Sequence, residues 1–389
     1  MKSRIFYPTD VVIEAGGYRN LLSLFPDAQR LFAITGHSAM EKAGVLDSVR
    51  KQCADAGVAL QIHTGTSTNP LHTDVDAAAN ACREFGADGV LGIGGGSSVD
   101  VAKMVAMLAT NGGSCWDYIS IGGKSLRKIE QRTLPMIAVP TTSGTGSEST
   151  PYAVITHAET RMKKGMGHPF LYPAKALLDP ELLALMPLEQ VAVTGFDAFG
   201  QALEGFTSGR STFHSEFYGY AALKLIAENF ERVYDHPDDL EGKAQMAWGA
   251  TLAGLSIGLV DVNLAHAMSH PLSGRFNIQH GRAVALCTAP AIWFNRGHVG
   301  DKYARAAALF GAANGPEEKS AVSLIEIFYR LANKFDVDLK LKNYGLDDVD
   351  LDAVSVDALE IGAIKTNVRP VSYEDVRLLF SHVWEGRYA

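Results

Sequence analysis

Two glycine runs, each placed directly after a short apolar stretch, most constrain what this chain can fold into. GVLGIGGGS (89–97) reads as a strand running into glycines, and Ser98–Ala109 follows as a helix. MIAVPTT (136–142) reads as a second such strand and ends in SGTGSE. Strand, glycine turn and helix in succession imply a parallel sheet with ligands at the carboxyl ends of its strands. The remainder of the first half agrees. LFAIT (31–35) precedes Gly36 and a helical stretch from Ser38 to Ala56, VALQIHT (58–64) reads as a strand, and Asp74–Phe85 reads as an Ala-rich helix.

After Asp179-Pro180 the texture changes. Amphipathic segments rich in Ala and Leu take over: Leu188–Ser208, Ser215–Tyr234, Asp239–Gly258, Ala283–Asn295, Asp301–Leu309, Lys319–Lys334 and Tyr373–Glu385. Their period is helical. Pro180 and Pro187 punctuate the boundary. The expected organisation is an α/β dinucleotide-binding domain over 1–183 and an all-α domain over 184–389. A length of 389 residues suits two cores.

Charge and composition exclude several classes. The formal charge is −8 and no basic run stands out, which argues against nucleic acid or an anionic membrane as partner. The opening MKSRIFYPTD has no apolar core of a signal peptide, and no 18-residue apolar run is free of polar interruption. Cys53, Cys82, Cys115 and Cys287 form no CxxC pair. They read as small hydrophobes in a reduced, cytoplasmic chain.

The first glycine loop holds Gly94, Gly95, Gly96, Ser97, Ser98 and Asp100. Glycines let a backbone approach phosphate, and the helix N-terminus behind them offers N–H groups and a positive dipole. The spacing is not GxGxxG, so the loop carries no standard dinucleotide fingerprint; a plain strand-to-helix turn is the alternative. The second loop holds Thr141, Thr142, Ser143, Thr145 and Ser147, whose hydroxyls suit ribose, phosphate or nicotinamide. Two such loops together favour one extended dinucleotide.

The helical half carries a second chemistry. Asp197 and Gln201 stand four residues apart, as do His266 and His270, and His280 follows. An i, i+4 pair on a helix points both side chains from one face. Two such faces plus His280 can surround one cation, and imidazole with carboxylate is a donor set for Zn²⁺ and Fe²⁺. Ordinary polar helix residues would give the same spacing.

Taken in order, these motifs resemble the iron-containing (group III) alcohol dehydrogenases of the dehydroquinate-synthase-like fold. The resemblance runs through Asn69-Pro70, GGGSSVD, PTTSGTGSE, Lys163, LLDPELL, TGFDA, the His266–His280 block and TNVRPVSYEDV. It implies an N-terminal α/β domain for NAD(P), a C-terminal helical domain, a divalent metal (Fe²⁺ or Zn²⁺) in the cleft between them, and a homodimer. It assigns the pyrophosphate to GGGS and the adenosine and ribose side to TTSGTGSE. It places Asn69 and Lys163 beside nicotinamide or ribose. The metal ligands carry over as Asp197, position 201, His266 and His280, and His270 matches the non-ligand histidine beside substrate. The chain departs from the family twice: Gln201 stands where histidine is usual, and Gln279 where proline commonly precedes the last ligand. Gln201 either binds through its amide oxygen or only packs. An amide oxygen is a poorer donor to zinc or iron than imidazole, so weaker metal retention is expected.

The implied activity is reversible hydride transfer between NAD(P)(H) and a small primary alcohol or aldehyde, with His270 relaying a proton. An acid at the end of the second strand would bind the ribose 2′-hydroxyl and repel a 2′-phosphate. Here Gly36-His37-Ser38 follow LFAIT, with no acid until Glu41, which favours NADP(H) over NAD(H). Two other readings stand beside this one. A dehydroquinate-synthase-like lyase is disfavoured by the scarcity of lysine between 190 and 282. A degenerate, non-catalytic binder of nucleotide or metal is made conceivable by Gln201.

Overall fold

A computed structural model describes residues 5–312, 317–346 and 349–389. The chain divides into two compact units. One comprises Phe6–Thr142 and Gly146–Met186; the other comprises Pro187–Ala389 with the tripeptide Ser143–Thr145.

The first unit is built on a parallel sheet. Its elements are β1 (Asp10–Ile13), β2 (Arg30–Thr35), α1 (Ala39–Lys42), α2 (Val45–Ala56), β3 (Ala59–His63), α3 (His72–Phe85), β4 (Gly89–Gly94), α4 (Gly96–Asn111), β5 (Met136–Pro140), β6 (Tyr152–Thr156), β7 (Lys163–Gly167), β8 (Lys175–Leu178) and α5 (Pro180–Leu183). The strands order as β1-β8-β5-β4-β2-β3, all parallel, and β6 pairs antiparallel with β7 apart from them. β4 and β5 are buried along their whole length, as central parallel strands must be when both faces are covered. One face packs Phe32, Val90, Met104 and Ala138; the other packs Leu31, Leu91, Val139 and Leu46. The helix expected over Ser38–Ala56 is two, α1 and α2, broken at Gly44, whose φ of 71° no helix contains.

From β2 the chain turns outward to β3, and from β4 it turns the opposite way to β5. The strand order therefore reverses between β2 and β4, the place where open α/β sheets leave a crevice for ligand. Gly36 follows the end of β2, and Gly94 ends β4.

Behind α4 lies a fully buried lysine. The Lys103 ammonium donates to the Tyr152 carbonyl (2.6 Å), the Ser147 hydroxyl (3.0 Å) and the Thr150 carbonyl (3.1 Å), and sits 3.8 Å from Asp100. Asp100 in turn accepts from Ser147 Oγ (2.5 Å) and the Val154 N–H (3.0 Å). Burial pushes the Lys103 pKa down to about 8, while Asp100 works to keep it charged. One buried ion pair thus fastens the second loop and the start of β6 onto α4.

The second unit is helical: α6 (Leu188–Thr207), α7 (Phe213–Asp235), α8 (Leu240–Val260), α9 (Leu264–Phe276), α10 (His280–Asn295), α11 (Gly300–Leu309), α12 (Glu317–Lys334), α13 (Leu351–Leu359) and α14 (Tyr373–Glu385). Phe196, Phe199, Phe230, Phe328 and Phe335 form an aromatic cluster in its core, with ring centroids 4.5–6.1 Å apart where they meet. Among the described residues no single helix is long and apolar enough to cross a membrane; α8 and α9 reach that length and composition only as a pair bent by 103°. The four cysteines are buried and free.

Replacing Lys103 by Met should leave Asp100 and two carbonyls buried without their cation. A loss of about 3 kcal/mol is expected, from the usual cost of removing one partner of a buried pair. Urea denaturation measures it, and an unchanged midpoint would show that this network is not stabilising.

Candidate metal centre and glycine loops

Helix α6 carries a polar stripe inside an apolar helix. Asp197, Gln201 and Glu204 lie at i, i+4 and i+7, so they share one face, and all three are buried. A buried carboxylate needs compensation, and two on one face need more. The partners come from α9 and α10. Asp197 Oδ1 lies 3.3 Å from His266 Nε2, 3.9 Å from His280 Nε2 and 3.2 Å from Gln201 Nε2. The donor atoms of Asp197, His266 and His280 all fall within 4.8 Å of one another. The His266 and His280 rings stand 5.5 Å apart at 65°, and each presents Nε2 to the same oxygen, Asp197 Oδ1.

Glu204, which no sequence motif singles out, organises the first of these helices, α9. Its Oε1 accepts the backbone N–H of Ala265 (2.7 Å) and of His266 (3.2 Å), capping the first turn of α9. Its Oε2 lies 2.5 Å from His266 Nδ1. With Nδ1–H given to Glu204, Nε2 is the nitrogen turned toward Asp197, where its N–H donates at 3.3 Å and where a metal would displace that proton. Burial opposes charge on the His266 ring, but Glu204 and Asp197 outweigh it and hold its pKa up, at about 10. The two carboxylates thus call for positive charge between them. The signal in the sequence is the i+7 step from Asp197; nothing local reveals the histidine 62 positions later that Glu204 serves.

Glycine makes the approach possible. His280 opens α10, and a Cβ on the next residue, Gly281, would lie 2.1 Å from the Val193 carbonyl of α6. A Cβ on Gly200 would lie 2.8 Å from Val284 of α10. At the other end, Asp261 joins α8 to α9 at φ 67°, a conformation rare for any residue but glycine, and its carboxylate accepts the Val262 N–H (2.9 Å).

His270 is buried one turn beyond His266, its ring 5.8 Å from that of His280. Arg275, five residues beyond His270, is paired with Asp357 at 2.6 Å.

A second histidine grouping does not have a metal site's geometry. The rings of His72 and His157 stack at 4.4 Å and 14°, so no ion lies in both ring planes, and their Nδ1 atoms already accept the N–H groups of Ala158 and Thr160. With Trp116 edge-on to His157, the stack clasps the start of α3 to the β6–β7 turn.

Of the cofactor residues expected from sequence, Gly36, Gly94, Gly95, Gly96, Thr141 and Thr142 fall at the sheet's carboxyl edge. Gly94 has φ 150°, and a Cβ there would lie 2.5 Å from Ser98 Oγ, so only glycine fits. The same Cβ would stand 3.7 Å from the Gly36 nitrogen, which places the ends of β2 and β4 side by side. α4 begins at Gly96 with no side chain capping it, and Ser97 Oγ donates to the Thr68 carbonyl (2.8 Å). The Thr141 N–H donates to the Gly94 carbonyl (2.8 Å), joining the two loops. Thr142 and Ser143 bury hydroxyls that have no hydrogen-bond partner among the described residues. Thr145 and Ser143 belong by their contacts to the helical unit, where a Cβ on Gly144 between them would meet Thr194 at 2.6 Å. Asn69 and Lys163, 94 positions apart, are joined through Lys163 Nζ and Asn69 Oδ1 at 2.8 Å.

Comparison with known proteins shows the family to which this fold belongs. Residues 8–180 match the family model described as iron-containing alcohol dehydrogenase, and residues 191–384 match its C-terminal counterpart. The chain belongs to the iron-containing alcohol dehydrogenase family. It is 34% identical to choline dehydrogenase of Bacillus subtilis over 76% of this chain and 74% of that one. It is 32% identical to long-chain-alcohol dehydrogenase 1 of Geobacillus thermodenitrificans over 86% and 82%. Among solved structures, an archaeal halo-thermophilic alcohol dehydrogenase from a Red Sea brine pool superposes with a TM-score of 0.93 at 31% identity, covering 98% of this chain and 99% of that one. The fold and alcohol/aldehyde oxidoreduction are those of the family, which uses NAD(P) and a divalent metal, usually iron.

Replacing Glu204 by Gln should free the His266 tautomer and remove one of the two charges. Metal affinity is expected to fall about 10–100-fold, as for other carboxylates behind a metal-binding histidine. Competition against a chromophoric chelator reads this directly, and wild-type affinity in E204Q would remove Glu204 from the metal's support.

Proposed function

We propose that this member reversibly interconverts small primary alcohols and aldehydes with NADP(H), using a divalent ion held by Asp197, Gln201, His266 and His280. The observation that carries the reading is the single oxygen Asp197 Oδ1 with Nε2 atoms of two histidines and of Gln201 gathered 3.2–3.9 Å around it. The residues fit a cation. Two buried carboxylates flank His266, and Gln201 Oε1 is buried with no hydrogen-bond partner among the described residues. The names of two relatives, a choline dehydrogenase and a long-chain-alcohol dehydrogenase, also point to alcohols as substrates.

Bound there, the ion supplies Lewis acidity toward an alcohol or carbonyl oxygen, and the nicotinamide dinucleotide gives or takes the hydride. The chain's own residues do the rest. Gly94, Gly95, Gly96, Ser97 and Ser98 offer a close backbone and a helix N-terminus to the pyrophosphate. Thr141, Thr142, Ser143 and Thr145 bring hydroxyls to the adenosine and ribose side. Asp100 and Ser147 hold the second loop in place through each other and Lys103. Lys163 and Asn69 present a fixed polar pair to ribose or nicotinamide. His270 moves the proton between substrate oxygen and solvent. Beyond β2 there is open space: a Cβ added at Gly36 would meet nothing within 4 Å, and no acid stands between Thr35 and Glu41. That room suits a 2′-phosphate. A cytoplasmic homodimer goes with this reading on the family resemblance.

The test is oxidation of NADPH and NADH against short aldehydes, before and after chelation, with metal content measured in parallel. We expect chelation to abolish turnover, His266→Ala and His280→Ala each to lose bound metal and about 10²-fold or more in kcat/KM, and NADPH to be preferred. Undiminished turnover without metal would overturn the metal assignment, and a strong NADH preference would overturn the cofactor assignment.

A further inference from the structure

Gln201 makes the donor set of this chain unusual, and its surroundings bear on which ion the site selects. The side chain is 4% exposed and sits one turn from Asp197 on α6. Its Nε2 donates to Asp197 Oδ1 at 3.2 Å, while Oε1 is buried with no hydrogen-bond partner among the described residues. An unpaired buried acceptor is costly. The amide can be turned over, because its two ends have the same shape. The amide oxygen would then face a carboxylate oxygen at hydrogen-bond distance, like against like. Only a cation shared by the two oxygens makes that orientation favourable, and the same cation removes the orphaned acceptor.

We infer that Gln201 ligates through its amide oxygen, and that the resulting set of two oxygens and two imidazoles shifts the site's preference away from Zn²⁺ toward the harder ion Mn²⁺. Carboxylate and carbonyl oxygens suit Mn²⁺, whereas imidazole suits zinc. Zinc still binds more tightly in absolute terms, since that order holds for most sites of this kind; the effect lies in the ratio. Neither glutamine nor neutral histidine carries charge, so the shift comes from donor type and not from electrostatics. This inference rests on the metal site proposed above.

The full chain, stripped of metal and kept anaerobic, is titrated with Mn²⁺ and with Zn²⁺ against a competing chelator, and the Mn²⁺ form is followed by electron paramagnetic resonance. The variants are Q201H and Q201E, with H280A as a reference. Restoring imidazole in Q201H should raise Kd(Mn)/Kd(Zn) by about tenfold or more and change the Mn²⁺ spectrum. Q201E keeps an oxygen donor of the same length, so it should tighten both ions without moving the ratio toward zinc. An unchanged ratio and spectrum in Q201H, or a ratio in Q201E that moves as far toward zinc as in Q201H, would overturn ligation by Gln201. Failure of the metal site itself gives a different result: H280A would then bind Mn²⁺ and Zn²⁺ as the wild type does. Urea denaturation of each variant confirms that the comparison is between folded proteins.

Discussion

The carboxylate of Glu204 is the contact on which the helical unit's chemistry depends. It joins α6 to α9 through three hydrogen bonds, two to backbone N–H groups at the helix start and one to the His266 ring. A single side chain therefore sets where α9 begins, which way it leaves the bend after Asp261, and which nitrogen of His266 faces Asp197. Hydrogen bonds to a charged acceptor are roughly twice as strong as neutral ones. Because Glu204 is buried, losing any partner would expose it to an uncompensated cost. That penalty makes the arrangement stiff, and stiffness is what a donor set needs to discriminate between ions by donor type and spacing.

The glycine end of the parallel sheet follows a different logic, in which absence of a side chain is the functional property. Gly94 is required twice over, by its φ and by the Ser98 hydroxyl that a Cβ would strike. The closeness of Gly36 then follows from topology, since β2 and β4 are neighbours although β3 lies between them in sequence. The buried Lys103 network completes the edge by tying the second loop to the helix that starts at the first. A loop of glycines cannot be held by its own side chains, and here a buried ammonium fastens the loop beside it.

Much of this is legible in the sequence because it is local. Glycines after apolar runs and the i, i+4 pairs at Asp197–Gln201 and His266–His270 need no knowledge of tertiary structure. The β4–α4 junction sits within two residues of where the pattern places it. What the pattern misses has non-local causes. β7 is KKGMG, with two glycines and two lysines and no strand propensity; it is a strand because β6 pairs with it. β1 and β8 are four residues each, too short for alternation to register. Gly281 looks like any glycine until the Val193 carbonyl is seen beside it. Glu204 reads as one more polar residue because its partner lies 62 positions away.

The departure at position 201 gains its meaning from this rigidity. In a loose site a glutamine in place of histidine would swing aside, and water would take the position. Here α6 is pinned on one side by Gly200 and Gly281 against α10, and on another by Glu204 against α9. Gln201 lies between those two fixed points on the same helical face as Asp197. Its amide has only one torsional choice left that matters, oxygen or nitrogen toward the carboxylate. Nitrogen inward satisfies Asp197 and strands the amide oxygen; oxygen inward demands a cation. On the ligation proposed above, this single amide has two orientations, chosen by whether positive charge is present. Metal-free and metal-loaded forms are then expected to differ at this side chain with little movement of the helices that carry it.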